Sequence, residues 1–363
     1  MALIMKVANN APLLKKPSKN IGENGNDHSE YAISNLSNQK ELNNYRLFTK
    51  RRIKLKLEGI ITAPVTPLSP DGSELAKESV FSQYYRFLIE RGMNGLLIGG
   101  TTGEAPLLTL SERKTIAERA VGIISHSIPV IVHAGCISTA ETVILAQHAE
   151  SIGAEGIAVI TPYFYHFNPA SMEKYYRTVA ESVPSLPVFL YYLPEFTHND
   201  ISADLLHKLL VSCHNIVGIK HSDSDMVHLQ EYRRIAGPDF TLFSGDDSVE
   251  YASLSLGANG CVSGKSSAFP ELPVALFKAF SSGNLAEARR IQLMIDNLAD
   301  VIDGPPGMGI AHFKASLKYR GIDVGAVRQP LLPLSSVEYE NLVNQLDNLR
   351  KKKVLDLLND EIG

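Results

Sequence analysis

The sequence of 363 residues contains no tryptophan, only three cysteines and no long uninterrupted run of apolar residues. A membrane-spanning helix needs ~18 consecutive apolar residues, so the sequence predicts no such helix. Cys136, Cys213 and Cys261 are far apart and form no C-x-x-C pair, which argues against a disulfide framework or a thiolate metal site. We therefore expect buried reduced thiols and a cytoplasmic protein that does not bind a membrane.

Charge divides the chain near residue 56. Residues 1–56 carry eleven Lys or Arg against four Asp or Glu, a net charge of +7, whereas the remainder has a net charge of −11. The first segment is rich in Asn and Ser and has no sustained period, so we predict a mostly disordered basic leader. A targeting segment is the alternative, but it lacks the apolar centre of a secretory signal, and its acidic residues are unusual for a transit peptide. The acidic remainder also argues against nucleic acid as a partner.

From residue 57 onwards, short runs rich in Val and Ile alternate with segments of helical period. The eight runs are 59–63, 95–99, 129–133, 156–161, 187–191, 216–220, 241–244 and 260–263. Each run is apolar apart from residues at or near its ends, as is typical of parallel strands covered on both faces. Helix starts are indicated by Thr109-x-x-Glu112 and Ser138-x-x-Glu141, where each hydroxyl caps a backbone N–H and each glutamate returns the bond.

This alternation predicts an α/β fold, a (β/α)8 TIM barrel with a small C-terminal helical extension. An open doubly wound sheet is the alternative, but it usually carries a glycine-rich phosphate loop after its first strand. This chain has Thr-Ala-Pro-Val-Thr-Pro over 62–67 instead. We place the barrel at 57–282, a helical appendage at 283–353 and a tail at 354–363.

Barrel enzymes carry out catalysis at the C-terminal ends of their strands, so the polar residues that close each run are the candidates. Lys220 closes the sixth run, where apolar walls would desolvate the ammonium and free the amine to attack a carbonyl. The alternative is a lysine that reaches solvent or pairs with Asp223 or Asp225. Tyr191 closes the fifth run and is a candidate proton donor, or else a core aromatic whose hydroxyl is tied to backbone.

Two turns add further candidates. In Gly100-Thr101-Thr102-Gly103-Glu104, the glycines allow backbone N–H groups to converge, and with two hydroxyls they would form a nest for a carboxylate. An ordinary strand-to-helix turn is the alternative. In the turn after the seventh run, Asp246 could bind hydroxyls of a sugar-like substrate, and Asp247 is expected to cap the next helix. A metal site built from these aspartates and His221 has no supporting spacing.

Three motifs in this order resemble the dihydrodipicolinate synthase / N-acetylneuraminate lyase family of Schiff-base class I aldolases. The motifs are the Gly-Thr-Thr-Gly-Glu turn, Tyr191-x-x-Pro194 and Gly218-Ile219-Lys220, and the resemblance extends over residues 57–349. It implies that Lys220 forms an imine with a 2-oxo acid such as pyruvate, and that Tyr191 with Thr101 moves protons.

The resemblance also implies the rest of the site. Thr102 and nearby amides such as that of Gly103 would hold the substrate carboxylate, while Gly245 and Val262 would line the same pocket. The iminium is the electron sink, so neither a metal nor an organic cofactor is implied. The implied assembly is a homotetramer built from two tight dimers, in which a tyrosine from the neighbouring subunit completes the proton relay.

Two residues depart from the family pattern. Phe164 lies where the relay tyrosine is expected, between Tyr163 and Tyr165, and Phe196 replaces an arginine that braces the aldehyde site of the synthases. Both changes favour a lyase or aldolase of a 2-oxo-3-deoxy sugar acid or related hydroxy-oxo acid. A 4-hydroxy-tetrahydrodipicolinate synthase and a sugar-acid dehydratase using the same imine are alternatives. A non-catalytic 2-oxo-acid-binding protein is disfavoured because all the motif residues are present.

Overall fold

The computed structural model describes residues 53, 55, 57–352 and 355, and its centre is a closed barrel of eight parallel strands. The strands follow one another in sequence order, and the last pairs with the first, so the predicted (β/α)8 barrel is confirmed. The strands are β1 Gly59–Thr62, β2 Gly95–Ile98, β3 Val130–His133, β4 Gly156–Ile160, β5 Val188–Tyr192, β6 Ile216–His221, β7 Thr241–Ser244 and β8 Gly260–Ser263.

Helices surround the barrel and extend beyond its last strand. They are α1 Glu78–Glu90, α2 Leu110–Ile124, α3 Thr139–Ser151, α4 Pro169–Ser182, α5 Pro194–Thr197, α6 Ala203–Ser212, α7 Met226–Ala236, α8 Glu250–Ser255, α9 Glu271–Ser281, α10 Leu285–Ile302, α11 Gly309–Tyr319 and α12 Ser336–Lys351. The last three correspond to the predicted appendage. The predicted leader and tail lie outside the described residues, apart from Ile53, Leu55 and Leu355.

The two predicted helix caps differ in detail. Thr109 and Glu112 form the full reciprocal capping box at the start of α2, as predicted. At α3, the Ser138 hydroxyl oxygen accepts from the Glu141 backbone N–H, as predicted. The Glu141 carboxylate, however, accepts from the Ser138 hydroxyl at 2.9 Å and not from the Ser138 backbone N–H that a capping box requires. Both arrangements satisfy N–H groups that a helix start leaves without intrahelical partners.

The core has two layers separated by the barrel wall. Inward-facing side chains fill the barrel and include Ile61, Leu97, Ile131, Ala158, Phe189, Val217, Phe243 and Val262. Ile53, Leu55 and Leu57 pack against this layer, and the Ile53 N–H donates to the His214 carbonyl at 3.3 Å. Outward-facing strand residues pack against the helices. Because the interior is filled with apolar side chains, polar chemistry is restricted to the ends of the strands.

The thiols and the helices of the described part of the chain bear on two expectations from composition. Cys136, Cys213 and Cys261 are all buried and unpaired. Among the described residues, no helix combines the length and apolarity that crossing a bilayer requires.

Candidate active site

Lys220 and Tyr191 are neighbours because their strands pair in register. Tyr191 lies opposite Lys220 in the β5–β6 ladder, and the Lys220 Nζ is 4.1 Å from the centroid of the Tyr191 ring. Only 6% of Lys220 is exposed, and among the described residues no carboxylate lies within ion-pair distance of its amine. Asp225 instead caps α7 through the N–H groups of Val227 and His228. The alternative of a lysine paired with nearby aspartates is therefore wrong.

The Tyr191 hydroxyl contacts a side chain from the far side of the barrel. Its oxygen lies 3.1 Å from Thr101 Oγ1, in the turn that follows β2, and the tyrosine itself is 2% exposed. Because the partner is a hydroxyl, either oxygen can donate the proton. The contact connects the predicted proton donor to the predicted relay partner, 90 residues apart in the chain.

Glu104 holds the turn that contains Thr101 in place through its backbone and its carboxylate. Its backbone is left-handed, with φ at 62°, and its N–H donates to the Thr101 carbonyl at 3.0 Å. Its buried carboxylate lies 2.7 Å from Lys314 Nζ and accepts from the Arg328 backbone N–H at 2.6 Å. Burial lowers the pKa of Lys314, and the Glu104 carboxylate opposes that shift. These contacts have no signal in the local sequence, since Lys314 and Arg328 lie in the distant appendage.

The remaining predicted residues lie around the same end of the barrel. A side chain at Gly245 would place its Cβ 2.7 Å from Lys220 Cε, so the absence of a side chain there leaves space beside the lysine. Val262 faces the barrel interior on β8, in register with Ile61 on β1. The Gly103 carbonyl accepts from the Thr66 hydroxyl at 2.6 Å.

Thr102 lies near the end of β8. A Cβ added to Gly264 would be 3.2 Å from Thr102 Oγ1. The roles of Thr102, Gly103, Gly245 and Val262 in holding a substrate remain predictions.

His133 was not identified from the sequence, although it closes the third apolar run as Lys220 closes the sixth. Its ring meets the Tyr191 ring edge-on, with centroids 5.8 Å apart and planes at 82°. Its Nδ1 lies 3.0 Å from the Gly99 carbonyl oxygen and 3.1 Å from Arg113 Nη2. Burial, and then the positive charges of Arg113 and Lys220, lower the pKa of His133 well below its usual value. The imidazole is therefore neutral at physiological pH.

A cavity of 330 Å³ opens beside Thr101 and His133. Most of its wall is apolar and comes from Ala105, Pro106, Leu107, Ile160, Leu193, Phe196, Ile310 and Leu331. Tyr163 also lines it, and burial raises the pKa of that phenol.

Phe164, on the loop after β4, has a φ of 81° and is 77% exposed. Its ring packs edge-on against that of Tyr165, with the ring centroids 4.9 Å apart.

The aspartate turn after β7 corrects one prediction. Asp246, and not Asp247, is the cap, because its carboxylate accepts from the Ser248 N–H at 2.9 Å. Asp246 has extended backbone, which directs its side chain to that N–H, whereas Asp247 is already the first residue of the helical turn.

One trio of potential metal ligands occurs among the described residues. Donor atoms of Asp247, Glu250 and Cys261 all lie within 4.8 Å of one another, and all three residues are buried. Burial, and then the charge of Asp247, raise the pKa of Glu250 well above its usual value. Lys265 already supplies a cation, since its Nζ lies 3.9 Å from Asp247 and 3.1 Å from Asp303. Lys265 thus supplies a cation to one member of the trio, Asp247, while both Glu250 carboxylate oxygens are buried without a hydrogen-bond partner among the described residues.

The sequence is similar to those of known proteins. Residues 56–349 match the model of the dihydrodipicolinate synthetase family. A 4-hydroxy-tetrahydrodipicolinate synthase of Bartonella bacilliformis is 34% identical over 286 residues, which are 78% of this chain and 95% of the relative. An uncharacterized DapA-like lyase of Halobacterium salinarum is 33% identical over 81% of this chain and 95% of its own length.

The fold is similar to solved structures of the same kind. YagE, a prophage protein of the dihydrodipicolinic acid synthase family from E. coli crystallised with pyruvate, has a TM-score of 0.77 and 30% identity over 82% of this chain and 99% of its own. The 4-hydroxy-tetrahydrodipicolinate synthase of Methylacidiphilum fumariolicum has a TM-score of 0.75 and 28% identity over 83% of this chain and 99% of its own.

Proposed function

The chain belongs to the dihydrodipicolinate synthetase family, and from that membership we propose that its Lys220 forms a Schiff base with pyruvate. It is an enzyme of the Schiff-base aldolase and lyase class. We further propose that it cleaves or forms a 2-oxo-3-deoxy sugar acid or a related hydroxy-oxo acid. The observation that carries the proposal is a buried amine that lies over the ring of the tyrosine that contacts Thr101, with no acidic partner among the described residues.

The proposed cleavage starts with attack of the Lys220 amine on the ketone carbon of the substrate. Tyr191 donates its proton to the departing hydroxyl, which leaves as water, and the iminium forms beside the tyrosinate. Tyr191 then accepts the proton of the 4-hydroxyl as the bond between C3 and C4 breaks, so that its electron pair moves into the iminium and an aldehyde departs. The resulting enamine is protonated at C3, and hydrolysis of the imine releases pyruvate and restores the free amine.

Proton transfer in this scheme depends on the pair of hydroxyls on Tyr191 and Thr101. Their separation of 3.1 Å allows a proton to pass from one oxygen to the other. The substrate carboxylate would lie against Thr102 and the Gly103 amide, with Gly245 and Val262 completing the pocket. The iminium supplies the electron sink, so the scheme uses no metal or organic cofactor.

The cavity wall supports an uncharged aldehyde as the second substrate. Phe196 lines the cavity where synthases of the family are expected to carry an arginine, and it offers no hydrogen-bond donor. Placing an unpaired carboxylate against this apolar wall would cost free energy. Aspartate semialdehyde carries such a carboxylate, whereas sugar-derived aldehydes do not. Condensation with the semialdehyde is the second candidate, because the Bartonella relative carries the synthase name.

We also propose that the protein assembles as a homotetramer in the cytoplasm. Phe164 and Tyr165 are 77% and 61% exposed and lie on the loop after β4, where the family resemblance implies a contact between subunits. A second copy covering these rings would remove their apolar surface from water.

The test is reduction with borohydride in the presence of pyruvate, followed by mass measurement of the intact protein and of the peptide that contains Lys220. We expect one reduced adduct per chain, located at Lys220. Steady-state assays on the same preparation should then give a kcat/KM at least ~100-fold higher for 2-oxo-3-deoxy sugar acids than for pyruvate with aspartate semialdehyde. An unmodified Lys220 with every 2-oxo acid tried would refute the Schiff base. Efficient condensation with the semialdehyde would instead identify a synthase.

A further inference from the structure

His133 offers an unused hydrogen-bonding atom to the cavity. The ring lines the cavity and is 5% exposed, and its Nε2 is buried with no hydrogen-bond partner among the described residues. A buried ring nitrogen without a partner costs free energy unless something else satisfies it. Most of the surrounding wall is apolar, so this nitrogen is a candidate contact for a polar group of a bound molecule.

Space in front of this nitrogen is kept open by Gly135. A side chain at Gly135 would place its Cβ 3.1 Å from His133 Nε2 and 2.7 Å from the Ile160 backbone nitrogen. Gly135 lines the same cavity. Because Gly135 has no side chain, no Cβ fills the space beside this nitrogen at the cavity wall.

The contacts of the other ring nitrogen determine what kind of group can bind. The Gly99 carbonyl can only accept, so His133 Nδ1 carries the hydrogen and donates to it across 3.0 Å. Arg113 Nη2 has its own acceptor, the His133 carbonyl, at 2.8 Å. A neutral imidazole protonated on Nδ1 has a lone pair on Nε2. The Nε2 atom, which has no partner among the described residues, is therefore a hydrogen-bond acceptor.

An acceptor of this kind selects among polar groups. A carboxylate has no hydrogen to donate to Nε2, and an ammonium would be repelled by Arg113, whose guanidinium lies behind the ring. A neutral hydroxyl can donate to the lone pair without either penalty. This selection matches an aldehyde that carries a hydroxyl group next to its reacting carbon.

We propose that His133 is a specificity-determining residue whose Nε2 accepts a hydrogen bond from a hydroxyl on the aldehyde half of the substrate. The inference rests on the proposed function and identifies the substrate class of that site as hydroxylated aldehydes and their 2-oxo acid adducts. Tyr191, whose ring lies beside His133, remains the residue that moves protons.

The test compares acceptor aldehydes that differ by one hydroxyl, in the aldol direction with pyruvate. The pairs are glycolaldehyde with acetaldehyde, and glyceraldehyde with propanal. The wild-type enzyme should have a kcat/KM about 10-fold higher for the hydroxylated member, as one neutral hydrogen bond supplies. In His133→Phe, which keeps the ring and removes the acceptor, this preference should disappear through a higher KM for the hydroxylated aldehyde. The deoxy aldehyde should be used within about 3-fold of the wild-type rate.

Two further variants keep the test interpretable. His133→Gln retains an acceptor oxygen and should retain part of the preference, which a purely structural role of the ring would not explain. His214→Phe changes an exposed histidine at the opposite end of the barrel and should leave the preference as in the wild type.

Each variant is also treated with pyruvate and borohydride. The role of His133 alone would be overturned by either of two results. In the first, the wild type is trapped at Lys220 but has no preference for the hydroxylated aldehydes. In the second, the preference is unchanged in His133→Phe. Failure of the wild type to be trapped would overturn the proposed function and this inference with it.

Discussion

Lys220 and Lys314 are both more than nine-tenths buried, at 6% and 4% exposed, yet their amines have different surroundings. Lys314 Nζ lies 2.7 Å from a Glu104 carboxylate oxygen and donates to the Ala326 carbonyl at 2.6 Å. Lys220 Nζ faces the Tyr191 ring, without a carboxylate partner among the described residues. Removing a buried ammonium that is paired would leave its carboxylate uncompensated, whereas a buried amine without an acidic partner is available for chemistry.

Lys314 is also connected to the site of Lys220, through Glu104. Lys314 holds Glu104, and Glu104 holds the turn from which Thr101 reaches the Tyr191 hydroxyl. The appendage thus fixes the position of one catalytic candidate through Glu104.

Replacing each lysine by methionine should separate the two roles. Lys220→Met should lower turnover by on the order of 10⁴-fold or more, because the nucleophile is absent, while the free energy of unfolding stays the same or rises. Lys314→Met should lower the free energy of unfolding by about 3–5 kcal/mol, because it leaves the Glu104 carboxylate buried and unpaired. Urea unfolding and steady-state assays on both variants would measure the two quantities.

The matched control for Lys314 is Lys318→Met, an exposed lysine one turn along the same helix, which should change the free energy of unfolding by less than about 0.5 kcal/mol. Combining Lys314→Met with Glu104→Gln should recover part of the lost stability. Equal destabilisation by Lys314→Met and Lys318→Met would contradict the structural role.

Tyr191→Phe tests whether the hydroxyl next to Lys220 moves protons. Turnover should fall by ~10²–10⁴-fold, the usual contribution of one positioned proton donor, while pyruvate can still be trapped at Lys220 at a lower rate. Tyr192→Phe is the control, since Tyr192 packs against His221 on the outer side of the barrel wall. Unchanged turnover in Tyr191→Phe would transfer the role to another hydroxyl, with Tyr163 in the cavity as the next candidate.

His221 follows Lys220 on β6 and gives the smallest predicted effect, on acid stability. Burial, and then the neighbouring His228, lower the pKa of His221 to about 4. The unfolded chain takes up this proton near pH 6.5, so the stabilising contribution is fully present above that pH and is lost as the pH falls towards 4. The loss should reach about 3 kcal/mol. Urea unfolding near pH 7 and pH 4 should show a weaker pH dependence for His221→Phe than for the wild type, and an identical dependence would refute the assignment.

Several parts of the site could be predicted from the sequence for a simple reason. Lys220 and Tyr191 close apolar runs, and every parallel strand of a barrel ends at the same rim. His133 satisfies the same rule and was overlooked because its contacts with Gly99 and Arg113 have no sequence signal. The cap after β7 was assigned to Asp247, since the choice between adjacent aspartates depends on one backbone angle that periodicity does not encode.

The sequence by itself determined the number and order of the strands, the barrel and the lysine, because the pattern of apolar residues fixes which side chains are buried. Only the tertiary structure decided which polar groups meet. Thr101 contacts Tyr191 across 90 residues of sequence, and Glu104 is paired with a lysine of the appendage. The cavity wall likewise combines loops after several strands with Ile310 and Leu331. Such pairings depend on how the barrel closes and where its appendage packs, and these distances are set by the whole fold and not by local spacing.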